Sequence, residues 1–374
     1  MELLLSIGFC ITGFTIFLLL RKREHKAIHK FSIAILLLWF IRFLLFYLKD
    51  AVDLTNMPWL FFLDQNLFFL DGVFLFWFSK SLNRERFSYL KESIHLIPFT
   101  VAIALTVSLF ISYNSSQLND LYQESKIATQ SHSSSPEEII FILVILLQNV
   151  IYLFLGYKKI NQYNQNILSN YSTIDRVQIN WLSKFFKIWA ILLVVPLIIF
   201  FINYIYPLFD LNLIETFLIS SFVAAAIYFS VHITNQYFAS FLLDKNEKTN
   251  TKNIQKHDIE EFKEAYAKLQ ELMEVKKPYL NEGLTLAMLS EQMHLKSIKL
   301  SNIINTQTSG NFYDYINSYR IEAIKKELIT TKEQIIIIAY NNGFSSKSTF
   351  NKVFKDTTGN TPSQYRKMYT LSSP

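Results

Sequence analysis

Residues 339–366 read AYNNGFSSKSTFNKVFKDTTGNTPSQYR. The segment is polar and basic, yet Phe350, Val353 and Phe354 fall at i, i+3 and i+4, positions that share one face of an α-helix. Gly343 supplies the positive φ of a tight turn ahead of that helix, and Phe344 plugs the angle. Ser346 is placed to cap the helix start and Gly359 to stop it. The opposite side carries Ser348, Asn351, Lys352 and Lys355. Such a helix packs on its domain by one face and offers the other to a partner.

The pattern recurs 50 residues upstream. KSIKLSNIIN, residues 296–305, lies on SKSTFNKVFK, residues 346–355, and Leu300, Ile303 and Ile304 match Phe350, Val353 and Phe354. The tyrosines Tyr315 and Tyr365 keep the same offset, and the outward side of the first copy carries Ile298, Ser301 and Asn302. A further apolar helix is expected before each copy, over Thr285–Met293 and Lys332–Asn341. Helix, tight turn, helix is the layout whose second element enters a DNA major groove.

GFSSKSTFNKVFKDTTGNTPSQYR resembles the second half of the AraC/XylS-type DNA-binding domain: GF, a polar pair, an F four residues before another F, then G, TP and YR. LTLAMLSEQMHLKSIKLSNIINTQTSGNFYDYINSYRIEAIKKEL is similar to its first half, so the resemblance runs from about Tyr279 to Tyr369. It implies two helix-turn-helix units joined by a long helix, Tyr313–Leu328, reading successive major-groove segments. By position, Ile298, Ser301, Asn302, Lys347, Ser348, Thr349 and Lys352 would face bases. Asn302 suits an adenine edge, Lys352 guanine acceptors and Ile298 a thymine methyl. Lys296, Lys299, Lys355, Arg366 and Lys367 would meet phosphates and supply salt-dependent affinity. From Pro278 onward eleven Lys and Arg face seven Asp and Glu, a modest excess. The first unit departs from the pattern, with His294 where the family has a turn glycine, Lys296 where a capping Ser is common, and Ser309–Gly310 one place out of step. The first reader is therefore expected to be the weaker.

Working back from the tail, the composition changes. The chain is 51% hydrophobic and 16% aromatic, with 34 Phe and 20 Tyr, and these averages conceal an oily front and a polar end. Seven stretches approach the roughly 20 residues a bilayer crossing needs: Leu3–Leu20, Phe31–Leu48, Trp59–Phe78, Ile94–Tyr113, Ile139–Gly156, Phe185–Tyr206 and Leu213–Val231. The first is not a cleavable signal, having no basic region before it and no small-residue site after it. If the first connection is cytoplasmic, the inner connections hold fourteen Lys and Arg, and the outer ones only Lys49 and Lys126. This is the bias the positive-inside rule demands. It puts the N-terminus outside and everything after Val231 in the cytoplasm of a bacterial inner-membrane protein. The segments FLDGVFLFWFSKSL (69–82) and IHLIPF (94–99) also resemble a group of bacterial regulators in which seven spans precede an AraC-type domain.

The expected fold is thus all-α: a seven-helix transmembrane bundle at 1–231, a tether and juxtamembrane helix at 232–277, and a double helix-turn-helix domain at 278–374. Ser-rich Asn114–Glu138 reads as an outer loop, Asp244–His257 as a tether and polar Lys158–Lys184 as an inner connection with a short surface helix. Ile259–Val275 repeats apolar residues on one helical face, which suits either a second copy or its own domain. Pro98 and Pro196 are expected to kink spans.

Three charges sit within apolar stretches, Arg42, Asp64 and Asp71, and the two aspartates share a helix face. Intramembrane charges are costly, so they read as the polar floor of a ligand site, as the moving ion pair of a switch, or as a structural pair of Arg42 with one aspartate. Cys10 has no partner for an intrachain disulfide, His25 and His29 have no third ligand, and no nucleophile or phosphate-cradling motif appears. No catalytic role, cofactor or metal is expected. Double-stranded promoter DNA and membrane lipid are the expected partners, with room for RNA polymerase, a homodimer and an unidentified small-molecule or envelope signal. The rival reading is a seven-span receptor or transporter whose tail binds a protein.

Overall fold

The computed structural model describes residues 2–21, 26–51, 59–83, 87–114, 116–118, 120, 136–174, 179–205, 211–236, 256–308 and 310–370. The Ser-rich loop and the tether lie largely outside them. The protein is all-α: among the described residues every regular element is helical except one isolated antiparallel bridge, Tyr171 with Thr285. It divides into two units, Met1–Tyr163 with Ile179–Phe238, and Asn164–Gln178 with Ala239–Pro374.

The first unit contains α1 (Glu2–Arg21), α2 (Lys26–Ala51), α3 (Trp59–Leu82), the single turn α4 (Tyr89–Glu92), α5 (Ile97–Ser112), α6 (Pro136–Asn170), α7 (Asn180–Ile205) and α8 (Leu211–Asn235). Among the described residues helical structure occupies most of each of the seven apolar stretches. Among the described residues, five segments are long and apolar enough to cross a membrane: Glu2–Arg21, Lys30–Leu48, Leu90–Ser112, Ile139–Asn170 and Thr216–Asn235. The core is aromatic. Trp39 stacks on Trp189 at 5.2 Å and meets Phe229 edge-on at 5.4 Å. Gly72 lets α6 approach α3, because a Cβ there would lie 2.9 Å from Asn149 Oδ1, the atom that accepts the Gly72 N–H.

Pro98 lies where a 3-10 turn at Ser93–Leu96 gives way to α5, inside the apolar segment. One expectation changes here. Among the described residues the inner connection has no separate surface helix: α6 runs unbroken for 35 residues to Asn170, well past Gly156, and its last 7 residues belong to the second unit.

The second unit contains α9 (Lys256–Val275), a 3-10 turn at Pro278–Leu280, α10 (Leu286–Gln292), α11 (Ser297–Thr308), α12 (Phe312–Thr330), α13 (Ile335–Asn341), α14 (Lys347–Thr358) and α15 (Pro362–Thr370). It holds two small cores. One gathers Leu269, Met273, Leu286, Leu289, Leu300, Ile304 and Ile316; the other gathers Ile324, Leu328, Ile338, Phe350 and Phe354. The long α12 contributes to both, Phe312, Tyr315 and Ile316 at one end and Ile321, Ile324 and Leu328 at the other. Asn311 and Asp314 begin it with a reciprocal capping box. The apolar face of α9 packs on the first core, so the open choice for this helix resolves to its own domain.

Candidate nucleic-acid interface

Each of the two reading helices is fixed by its buried face. On α11, Leu300, Ile303 and Ile304 are fully buried, while Ile298, Ser301 and Asn302 are half-buried and lie outside the core. On α14, Phe350 and Phe354 are buried; Lys347, Ser348 and Lys352 are exposed, and Thr349 is half-buried. The apolar rows therefore turn both sets of expected base-contacting side chains away from the cores. Ser346 Oγ accepts the Thr349 N–H at 3.2 Å and caps α14, and Gly359 ends that helix at φ 75°.

The turns ahead of these helices are alike in bonding and unlike in sequence. Leu295 N–H donates to Ser290 O at 2.9 Å, and Phe344 N–H donates to Ala339 O at 3.1 Å. These bonds superpose at an offset of 49, whereas the reading helices superpose at 50, so the second turn is one residue longer. Gly343 takes φ 86° in its turn, and His294 takes φ 53° in the other, a left-handed backbone on a residue with a side chain.

The expected phosphate contacts divide. Lys296, Lys355 and Lys367 are exposed. Lys299 pairs with Glu261 of α9 at 2.5 Å, and Arg366 Nε donates to Leu328 O at 3.1 Å, tying α15 to the end of α12.

One buried cation escaped the reading of faces. Arg320 is fully buried in α12. Its Nε donates to Tyr279 O at 2.8 Å, Nη1 to Ser172 O at 3.0 Å and Asn317 Oδ1 at 3.3 Å, and Nη2 to Ser172 Oγ at 3.1 Å and Asn281 O at 2.9 Å. Its guanidinium also sits 5.6 Å from the Phe344 ring. Burial away from water pulls its pKa down to about 10, which leaves it cationic at neutral pH. A signal existed: Ile316, Arg320 and Ile324 follow at i, i+4 and i+8, placing a charge on a core-facing row.

In the first unit, Arg42 Nη1 meets Asp71 Oδ2 at 2.5 Å, and Trp39 Nε1 donates to Asp71 Oδ1 at 3.1 Å. Asp64 Oδ1 lies 4.0 Å from Arg42 Nε, and the guanidinium lies 3.6 Å from the Phe68 ring centre. The three charges thus form one buried cluster across α2 and α3, each at most 4% exposed. Among the described residues no group of acidic, histidine or cysteine side chains has a metal-binding arrangement.

Two small cores strung on one helix, each carrying a helix-turn-helix, define the class. The sequence pattern of a helix-turn-helix domain family matches residues 289–368. An uncharacterised HTH-type transcriptional regulator of Staphylococcus aureus strain COL is 39% identical over 88 residues, 24% of this chain and 12% of that protein. The chain thus spans about an eighth of that relative's length. Regulatory protein SoxS of Escherichia coli K12 is 29% identical over 98 residues, 26% of this chain and 92% of SoxS. The C-terminal domain of the two-component response regulator yesN from Fusobacterium nucleatum shares 33% identity, covering 28% of this chain and 98% of that one, at a TM-score of 0.26. Residues 289–368 thus form a helix-turn-helix domain similar to those of DNA-binding transcriptional regulators.

Proposed function

We propose that the protein is a membrane-embedded, sequence-specific DNA-binding transcription regulator, in which an outer or intramembrane signal sets promoter occupancy. The observation that carries this reading is the pair of reading helices on one linker helix, with Ile298, Ser301, Asn302, Lys347, Ser348, Thr349 and Lys352 all kept out of the cores. Two such helices on one duplex face read grooves about one helical turn, roughly 34 Å, apart. Phosphate contacts from Lys296, Lys355 and Lys367, with Lys299 and Arg366 beside them, would add affinity without specificity. The five segments apolar enough to span a bilayer among the described residues and the basic bias of alternate connections support anchoring at the inner membrane with the reader in the cytoplasm. The buried Arg42, Asp64 and Asp71 cluster is the switch or ligand floor on this reading, since a ligand shifts a bundle only by preferring one arrangement of it.

Sequencing DNA that co-purifies with the full chain from membranes tests the reading. Enriched fragments should share two half-sites about one turn apart, and Lys352→Ala should abolish the enrichment. Recovery no better than input DNA, or enrichment indifferent to Lys352→Ala, would overturn it.

A further inference from the structure

The second unit includes a piece of chain from far upstream. Residues 171–173, directly after α6, lie along residues 282–285, before α10. Tyr171 bridges Thr285, Ser172 N–H donates to Leu284 O at 3.2 Å, Ser172 Oγ donates to the same oxygen at 2.7 Å, and Thr173 Oγ1 donates to Glu282 O at 2.7 Å. Ser172 is 1% exposed. In return its carbonyl and hydroxyl oxygens accept two hydrogen bonds from Arg320.

Arg320 is also where the two helix-turn-helix units meet. Tyr279 and Asn281, before the first unit, accept from it, and the turn of the second unit presses on the same point. A Cβ on Gly343 would stand 2.5 Å from Tyr279 O and 2.9 Å from Arg320 Nε. A guanidinium has five N–H donors and no acceptor, and one that is buried is costly to leave short of partners. Ser172 supplies two of the acceptors, so withdrawing it loosens the joint that sets the angle between the reading helices.

We propose that residues 171–173 are the input arm of the reader, coupling α6 to the relative orientation of its two helix-turn-helix units. This rests on the regulator reading and names its route of control. The helix Pro136–Asn170 leads without a break from the apolar unit to Tyr171, so a shift of that helix reaches Arg320 without passing through residues 237–255. With the arm engaged the two readers hold the spacing that a two-groove site requires. With it withdrawn, each reader keeps its own fold and the pair loses register.

The test uses the full chain in lipid nanodiscs and duplexes from the co-purified fragments, carrying both half-sites or either one alone. Ser172→Ala with Thr173→Val removes the hydroxyls and spares both reading faces. Kd for the two-half-site duplex should rise about fivefold or more, in the range of ordinary coupling energies, while Kd for each single half-site stays unchanged. An unchanged or tighter two-site Kd, or an equal loss on single half-sites, overturns the proposal. Hydrogen exchange on the wild-type chain separates the failures. If no DNA binds, the regulator reading falls and this control falls with it; if DNA binds and the Ser172 amide exchanges as fast as open peptide, only the arm is refuted.

Discussion

At the scale of single residues, the two turns differ in what they ask of the backbone. His294 holds φ 53°, a left-handed conformation costing an L-residue roughly 1–2 kcal/mol. Gly343 holds φ 86° without that cost, and its space is closed by Tyr279 O. Opposite substitutions should therefore have opposite signs. His294→Gly should stabilise the first unit by about 0.5–1 kcal/mol, net of the extra freedom glycine has when unfolded. Gly343→Ala should destabilise the second by about 2–3 kcal/mol through strain and overpacking. Hydrogen exchange at the Leu300 and Phe354 amides of the whole protein reads the two effects separately; a slower Phe354 amide in Gly343→Ala would contradict the steric account. Tyr315 sets the behaviour in alkali. Burial first, then its hydrogen bond with Tyr319, raises its pKa well above the ordinary 10.0, and Tyr279 and Tyr266 are raised too, mainly by burial. The folded state holds these protons more tightly than the unfolded chain, so their stabilisation is complete below pH 10 and is lost as the pH rises above it. Arg320, whose folded pKa of about 10 lies below its ordinary 12.5, acts in the opposite sense over that window. Tyr315→Phe should lessen the pH dependence of the urea midpoint above pH 10 by about one proton, and an unaltered slope would refute this.

At the scale of elements, the ends of the reading helices decide how well they present their faces. Ser346→Ala removes the acceptor at the Thr349 N–H and should cost α14 about 1 kcal/mol, fraying the turn that carries Lys347 and Ser348. DNA affinity should drop about fivefold, and a gel-shift titration would show it. The same titration ranks the readers: Lys352→Ala should abolish promoter binding while Asn302→Ala only weakens it, because the first turn carries His294 in a strained conformation. Equal losses would contradict that ranking. The features of α14 were legible because they are local: spacing gave its buried face, Ser346 its cap and Gly359 its end. The length of α6 was not legible, since its last turns are polar and only the fold shows where they go. Ser172 was illegible for a related reason, because its acceptor Leu284 O is 112 positions away and no local pattern links the two. Arg320 lay between, visible as a charge on an apolar row but without a named partner.

At the scale of the whole molecule, the split into an oily front and a polar reader could be read from composition, and the twofold reader from its repeat. The spatial partners of charged side chains could not, and they alter how the protein should respond to salt. Each phosphate neutralised on B-DNA contributes about −0.9 to the slope of log K against log salt. Sequence position alone gives five contacts, Lys296, Lys299, Lys355, Arg366 and Lys367. In the fold Lys299 pairs with Glu261 and Arg366 Nε donates to Leu328 O, so these two are less available to phosphate than their positions suggest. The full chain on a co-purified fragment should thus show a slope shallower than the roughly −4.5 that five contacts would give. The Lys299–Glu261 pair is largely solvent-facing, with side chains 35% and 49% exposed, so breaking it should change stability little. Glu261→Gln should then free Lys299 for phosphate, steepening the slope by about one and tightening binding most at low salt. A slope that stays put in Glu261→Gln would mean that Lys299 never reaches the backbone and that α9 does not limit how the first reader docks.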